Sequence, residues 1–226
     1  MWLTPMKGTC DWPRTASVAS SALAMRTHTR PAEKGEAMTH IVGIVGSLRR
    51  GSYNLSLLRA AESLMPDGAT LDVRMIAGIP LYNADDEAAA GLPPAVTALK
   101  DAIAAADGLV LATPEYNNGI PGAFKNAIDW ASRPASDIPR VFSGKPVAVI
   151  GVTPGGFGTV LAQNEWLSVL RLLGTRPWFG GRLAVPHAGK LFDADGQLTD
   201  ADVRERLRIF IGGFVQSVRE RQISPH

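Results

Sequence analysis

Three stretches of this sequence place hydrogen-bond donors, a fixed positive charge and stiffened backbone directly after short apolar runs. The first is Gly46-Ser47-Leu48-Arg49-Arg50-Gly51-Ser52-Tyr53-Asn54, following residues 41–45. It offers Ser47, Ser52 and Asn54 as side-chain donors and Arg49 as a permanent cation. A helix beginning near Ser52 would add free backbone N–H groups and the positive end of its dipole. That set suits a terminal phosphate dianion. The same Ser, Asn and Gly residues also make an ordinary capped turn. The loop lacks Gly-x-Gly-x-x-Gly, which disfavours a dinucleotide fingerprint, and it lacks the Gly-Lys-Ser/Thr of a nucleoside triphosphate loop.

The second stretch runs from Thr113 to Gly122 after the apolar residues 109–111. Pro114 and Pro121 hold its backbone, with Glu115, Tyr116, Asn117 and Asn118 between them. Such a loop can present N–H and C=O groups to the edge of a flat ring and an apolar surface to its body. Read alone, it is equally a polar loop of no special role. The third is Thr153-Pro154-Gly155-Gly156-Phe157-Gly158, whose glycines would let backbone approach a ring closely. It is also readable as a flexible turn before a helix. A phosphate holder beside ring-lining loops suggests a flavin mononucleotide (FMN) site.

These loops need a frame that brings them together. The pattern predicts strands at 41–45, 71–76, 108–112, 146–152 and 182–185. Between and after them it predicts helices from Ser52 as N-cap, at 93–106, 123–131, 158–173 and 199–221, with irregular loops at 77–92 and 134–144. Strands apolar throughout, alternating with helices, imply a parallel sheet covered on both faces. The expected fold is α/β: a flavodoxin-like doubly wound five-stranded parallel sheet, order 2-1-3-4-5, with helices on both faces. In such a sheet all three loops lie at the carboxyl edge of the strands, where ligands bind.

The chain has 226 residues, 46% of them hydrophobic, and a formal net charge of +2. That length suits one domain with an ordinary core. Before Met38 lie five basic side chains (Lys7, Arg14, Arg26, Arg30, Lys34) and three acidic ones (Asp11, Glu33, Glu36). The net charge therefore belongs to that segment, and the rest of the chain is neutral. Nothing here favours nucleic acid or an anionic membrane surface as a partner. No apolar run reaches the ~18 residues of a spanning helix. The single cysteine, Cys10, permits no internal disulfide and fits a reducing, cytoplasmic setting. Residues 1–37 read as a disordered N-terminal extension, since serines interrupt the weakly apolar stretch 16–25. Residues 38–226 read as the folded domain.

The first loop, followed by Pro114-Glu115-Tyr116-Asn117-Asn118-Gly119-Ile120-Pro121-Gly122-Ala123-Phe124-Lys125-Asn126-Ala127-Ile128-Asp129-Trp130, resembles the NADPH-dependent FMN reductase family. The closest branch is the bacterial quinone and chromate reductases, and the resemblance spans 40–215. It implies that Ser47, Arg49, Ser52 and Asn54 hold the FMN phosphate. Pro114, Glu115, Tyr116, Asn117 and Asn118 would line the isoalloxazine, and Thr153, Gly155 and Gly156 would close its edge. It also implies a homodimer or homotetramer, with the helices after the second and third loops as candidate contacts.

The expected activity is an NAD(P)H oxidoreductase working by a ping-pong hydride mechanism. NADPH or NADH reduces the flavin, and a small-molecule acceptor (quinone, azo, nitro or chromate) then takes two electrons. The cofactor carries the chemistry, so no side chain is needed as acid, base or metal ligand; Tyr116 reads as a ring wall or, equally, as a packing residue. The four histidines show no metal-ligand spacing. Arg50 and Arg133 are the candidates for reading a 2′-phosphate. Trp130, Trp166 and Trp178 read as core or interface, and Lys125 with Asp129 as an exposed ion pair. Three alternatives stay open: a flavodoxin-type electron carrier, a non-catalytic flavin sensor, and a supplier of free reduced FMN to a monooxygenase.

Overall fold

The computed structural model describes residues 38–223; the expectation for 1–37 lies outside the described residues. Six strands form one parallel sheet: β1 (Thr39–Val45), β2 (Ala69–Met75), β3 (Gly108–Ala112), β4 (Pro146–Val152), β5 (Arg176–Pro177) and β6 (Leu183–Val185). The order is β2-β1-β3-β4. The outer edge of β4 is shared: β5 pairs with Pro146 and Val147, and β6 with Ile150, Gly151 and Val152. The flavodoxin-like order therefore stands, with the fifth position split between two short strands. Among the described residues seven α-helices accompany the sheet: α1 (Tyr53–Glu62), α2 (Ala84–Ala90), α3 (Pro94–Ala105), α4 (Gly122–Ala131), α5 (Ile138–Val141), α6 (Val160–Leu172) and α7 (Ala201–Ile223).

The central strands β3 and β4, and β1 from Ile41 onward, are apolar because successive side chains serve two cores. On β1, Ile41 and Val45 pack into a cluster with Leu55 and Leu58 of α1 and Leu207, Phe214 and Val218 of α7. Their neighbours Val42 and Ile44 enter the opposite cluster, with Leu99 of α3, Phe124 of α4 and Trp166 of α6. Phe124 and Trp166 meet edge to face at 4.8 Å between ring centroids. Trp130 and Trp166 are buried, and Trp178 lies edge-on to Phe210.

Two stretches expected to be loops carry short helices. Within 77–92, Asn83 caps α2 by accepting from the Asp85 N–H at 3.0 Å. Asp85, Asp86 and Glu87 then fill the first turn, where the helix dipole favours negative charge. Within 134–144 lie a 3-10 turn (Ala135–Asp137) and α5. Glu87 is held by Arg133 Nε at 3.0 Å, and the Tyr82 hydroxyl donates to the same carboxylate oxygen at 2.9 Å.

The Arg133 guanidinium keeps the Glu87 carboxyl below its usual value of 4.5. A depressed carboxyl stabilises the fold above its unfolded value, and this contribution is lost as pH falls through the folded one. Below about pH 4.5, the urea midpoint of the natural protein should therefore fall more steeply than that of Glu87→Gln. Parallel acid profiles would contradict the assignment.

Candidate functional site

β1, β3 and β4 end side by side. Val45 pairs with Ala112, and Ala112 with Ile150. The three loops therefore leave the sheet at one edge. There Ser47, Arg49, Ser52, Pro114, Tyr116 and Thr153 line a single shallow cleft. Gly46 fixes the first loop against α4: its N–H donates to the Ala112 carbonyl at 2.9 Å, and a Cβ on it would fall 2.1 Å from the Phe124 ring. Only glycine lets the backbone pass so close.

The first loop keeps its polar groups available. Ser52 occupies the N-cap position of α1 with extended backbone, yet its hydroxyl makes no capping bond. Ser47 Oγ accepts only a long bond, 3.3 Å, from the Arg49 N–H. Arg49 has no ion pair among the described residues. Two buried serines, the exposed Arg49 and the start of α1 at Tyr53 and Asn54 line one cleft. That donor set fits a phosphate dianion.

Several residues of these loops also make contacts that their type alone does not signal. Asn54 is buried and clamps β4: its Nδ2 donates to the Val152 carbonyl at 2.9 Å, and its Oδ1 accepts from the Val152 N–H at 3.1 Å. Asn54 also lines the cleft; these bonds order the first loop and leave the second N–H of its carboxamide unspent. Glu115 lines the cleft, but its carboxylate accepts from the Leu161 and Ala162 N–H groups at 2.9 and 3.0 Å. It thus caps α6, whose N-cap Thr159 makes no capping bond. Asn117 and Asn118 are the central residues of a tight hairpin turn between Tyr116 and Gly119, both with positive φ (51° and 63°). Asparagine tolerates that conformation, and both side chains sit at the exposed tip, outside the cleft lining.

Thr153 and Pro154 line the cleft, whereas Gly155 and Gly156 continue away from it. Gly155 gives its carbonyl to the His187 N–H at 3.1 Å. Tyr53 and Val152 also line the cleft and were not anticipated; Tyr53, lying between two expected donors, is the one that the spacing of the first loop signals. Arg133 pairs with Glu87 through Nε and stands over the Tyr82 ring, and it is not among the residues that line the cleft. Lys125 and Asp129 form the expected ion pair at 2.6 Å. A roomier hollow of about 420 Å³ lies between β4 and α6 beneath Trp178 and Phe179, away from the three loops. No cluster of potential metal ligands occurs among the described residues, and none of the described helices is long and apolar enough to cross a membrane.

Comparison with known proteins agrees with this geometry. The chain is 45% identical over 168 residues to an NAD(P)H-dependent FMN reductase of Pseudomonas aeruginosa, covering 74% of this chain and 89% of the relative. It is 39% identical over 183 residues to a 2-hydroxy-1,4-benzoquinone reductase of a Burkholderia species, covering 81% and 98%. Among solved structures, the FerB flavoenzyme NAD(P)H:(acceptor) oxidoreductase of Paracoccus denitrificans superposes with a TM-score of 0.72 at 35% identity, over 80% of this chain and 98% of that one. The profile of NADPH-dependent FMN reductases matches residues 39–190, the span that holds all three loops, and the chain belongs to that family.

Proposed function

We propose that this protein is an FMN-dependent NAD(P)H oxidoreductase that passes two electrons to quinones and similar small acceptors, including azo, nitro and chromate compounds. The observation that carries this reading is the meeting of Ser47, Arg49 and Ser52 with Pro114, Tyr116 and Thr153 in one cleft at the carboxyl ends of three parallel strands. Bound FMN would supply the two-electron chemistry that no side chain here supplies.

The protein's part is to hold and orient. Ser47, Ser52, the Arg49 guanidinium and the N–H groups at the start of α1 would take the phosphate. Backbone at Pro114–Tyr116 and Thr153, together with the Tyr116 ring, would line the isoalloxazine, and backbone donors there would favour negative charge on the reduced ring. Asn54 and Glu115 line the same cleft and position these groups, one tying α1 to β4 and the other tying the second loop to α6. Gly155 and Gly156 would shape the edge from further along the third loop. Tyr116 is 55% exposed, which supports a wall open to solvent and weak selection among acceptors.

One opening serving nicotinamide and acceptor in turn implies ping-pong kinetics. Initial rates with NADPH and benzoquinone should give parallel double-reciprocal lines; intersecting lines would contradict a shared opening. Tyr116→Ala should lower kcat about tenfold while leaving the urea midpoint nearly unchanged, because the ring is half in solvent. An equal loss of stability would make Tyr116 a packing residue. Association as a homodimer or homotetramer is part of this reading, supported by the exposed apolar side chains Leu81, Leu172 and Phe179. So is a cytoplasmic setting, supported by the single cysteine.

A further inference from the structure

A second cleft, about 330 Å³ in volume, adjoins the first along the third loop. Gly156 and Phe157 form one side, Arg182 and Pro186 another, and Arg206 of α7 the third. That volume is in the range of small-ligand sites, roughly 300 Å³ and above. Pro154 lines the first cleft and Gly156 the second; two residues of chain span at most about 7 Å. A ligand bound across the first cleft can therefore extend into the second.

Three features of this cleft lack partners in the protein itself. Phe157 is 81% exposed at the tip of a loop. Arg182 has neither an ion pair nor a side-chain hydrogen bond among the described residues. Arg206 has only Asp202, at 3.7 Å without a hydrogen bond, and the Asp202 side chain is itself 81% exposed. Arg182 and Arg206 both line this cleft and also the adjoining hollow beside Trp178 and Ile209. Two like charges sharing a cleft repel, and a dianion between them would relieve this. An exposed aromatic ring beside two guanidinium groups is a platform for a flat nitrogen heterocycle.

We propose that this cleft is the adenosine 2′-phosphate subsite of the nicotinamide co-substrate, resting on the reading of the first cleft as the reductase site. Arg182 and Arg206 take the 2′-phosphate, and Phe157 takes the adenine. The pair thereby distinguishes NADPH from NADH.

The test is a calorimetric titration of the FMN-supplemented protein with adenosine 2′,5′-bisphosphate and, separately, with AMP, in parallel with NADPH and NADH kinetics. The natural protein should bind the bisphosphate more tightly than AMP. Arg182→Ala/Arg206→Ala should weaken bisphosphate binding about tenfold or more and lower kcat/KM for NADPH by the same factor relative to that for NADH. Arg182→Lys/Arg206→Lys should restore part of the binding. Equal affinity for the two nucleotides, or an unchanged NADPH:NADH ratio in a folded double variant, would overturn the subsite. So would a double variant whose only change is a smaller assembly on gel filtration. Bisphosphate binding that depends on both arginines, in a protein that oxidises neither nucleotide, would uphold the subsite while the reductase reading fails.

Discussion

Asn54→Ala is expected to lower the unfolding free energy by about 2–4 kcal/mol, the largest effect of any conservative change near the cleft. The side chain is buried, and both its polar atoms bond the backbone of Val152. β3 pairs with β4 only as far as Ala112 and Ile150, so Val152 has no strand partner on that side. Asn54 stands in for the missing strand. Removing it strands a buried donor and a buried acceptor, each costing about 1–3 kcal/mol when left unpaired. The same bonds tie the start of α1 to β4, so FMN retention should fall with stability. Urea unfolding and FMN titration of one variant read both effects. A loss below about 0.5 kcal/mol would mean that water replaces the carboxamide.

Arg49→Ala should act on the ligand and leave the fold intact. Arg49 is exposed and has no partner among the described residues, so its removal costs no internal contact. A charge-assisted bond to a phosphate is worth about 1.5–3 kcal/mol, which predicts FMN binding weaker by about 10- to 100-fold. Quenching of FMN fluorescence on titration measures this directly. Riboflavin, which lacks the phosphate, should bind the natural protein and the variant alike. Unchanged FMN affinity, or an equal loss for riboflavin, would remove Arg49 from the phosphate site.

These two residues also mark what the sequence made legible. The strands were readable because a fully buried parallel strand has no polar face, so β1, β3 and β4 stand out as apolar runs. Arg49 was readable because a lone cation between serines before a helix has few structural uses. The role of Asn54 was not, since its partner lies 98 residues away and its type suits a donor equally well. Glu115 is the same case: its bond to the start of α6 joins residues 46 positions apart. α2 went unread because it has seven residues and no buried face, and is held by the Asn83 cap. β5 has two residues, too few for any period to register. The hairpin turn at Asn117 and Asn118 is not legible in the sequence, because it shows only once Tyr116 and Gly119 are seen to pair.

The most direct test of the reductase reading is an anaerobic absorbance spectrum of the protein with FMN bound, before and after NADPH. The account predicts bound-flavin bands that bleach on mixing and return when benzoquinone is added. Bands that form but resist both NADPH and NADH would make the protein a carrier or sensor, and protein that binds no flavin would contradict the assignment of Ser47, Arg49 and Ser52 to a phosphate.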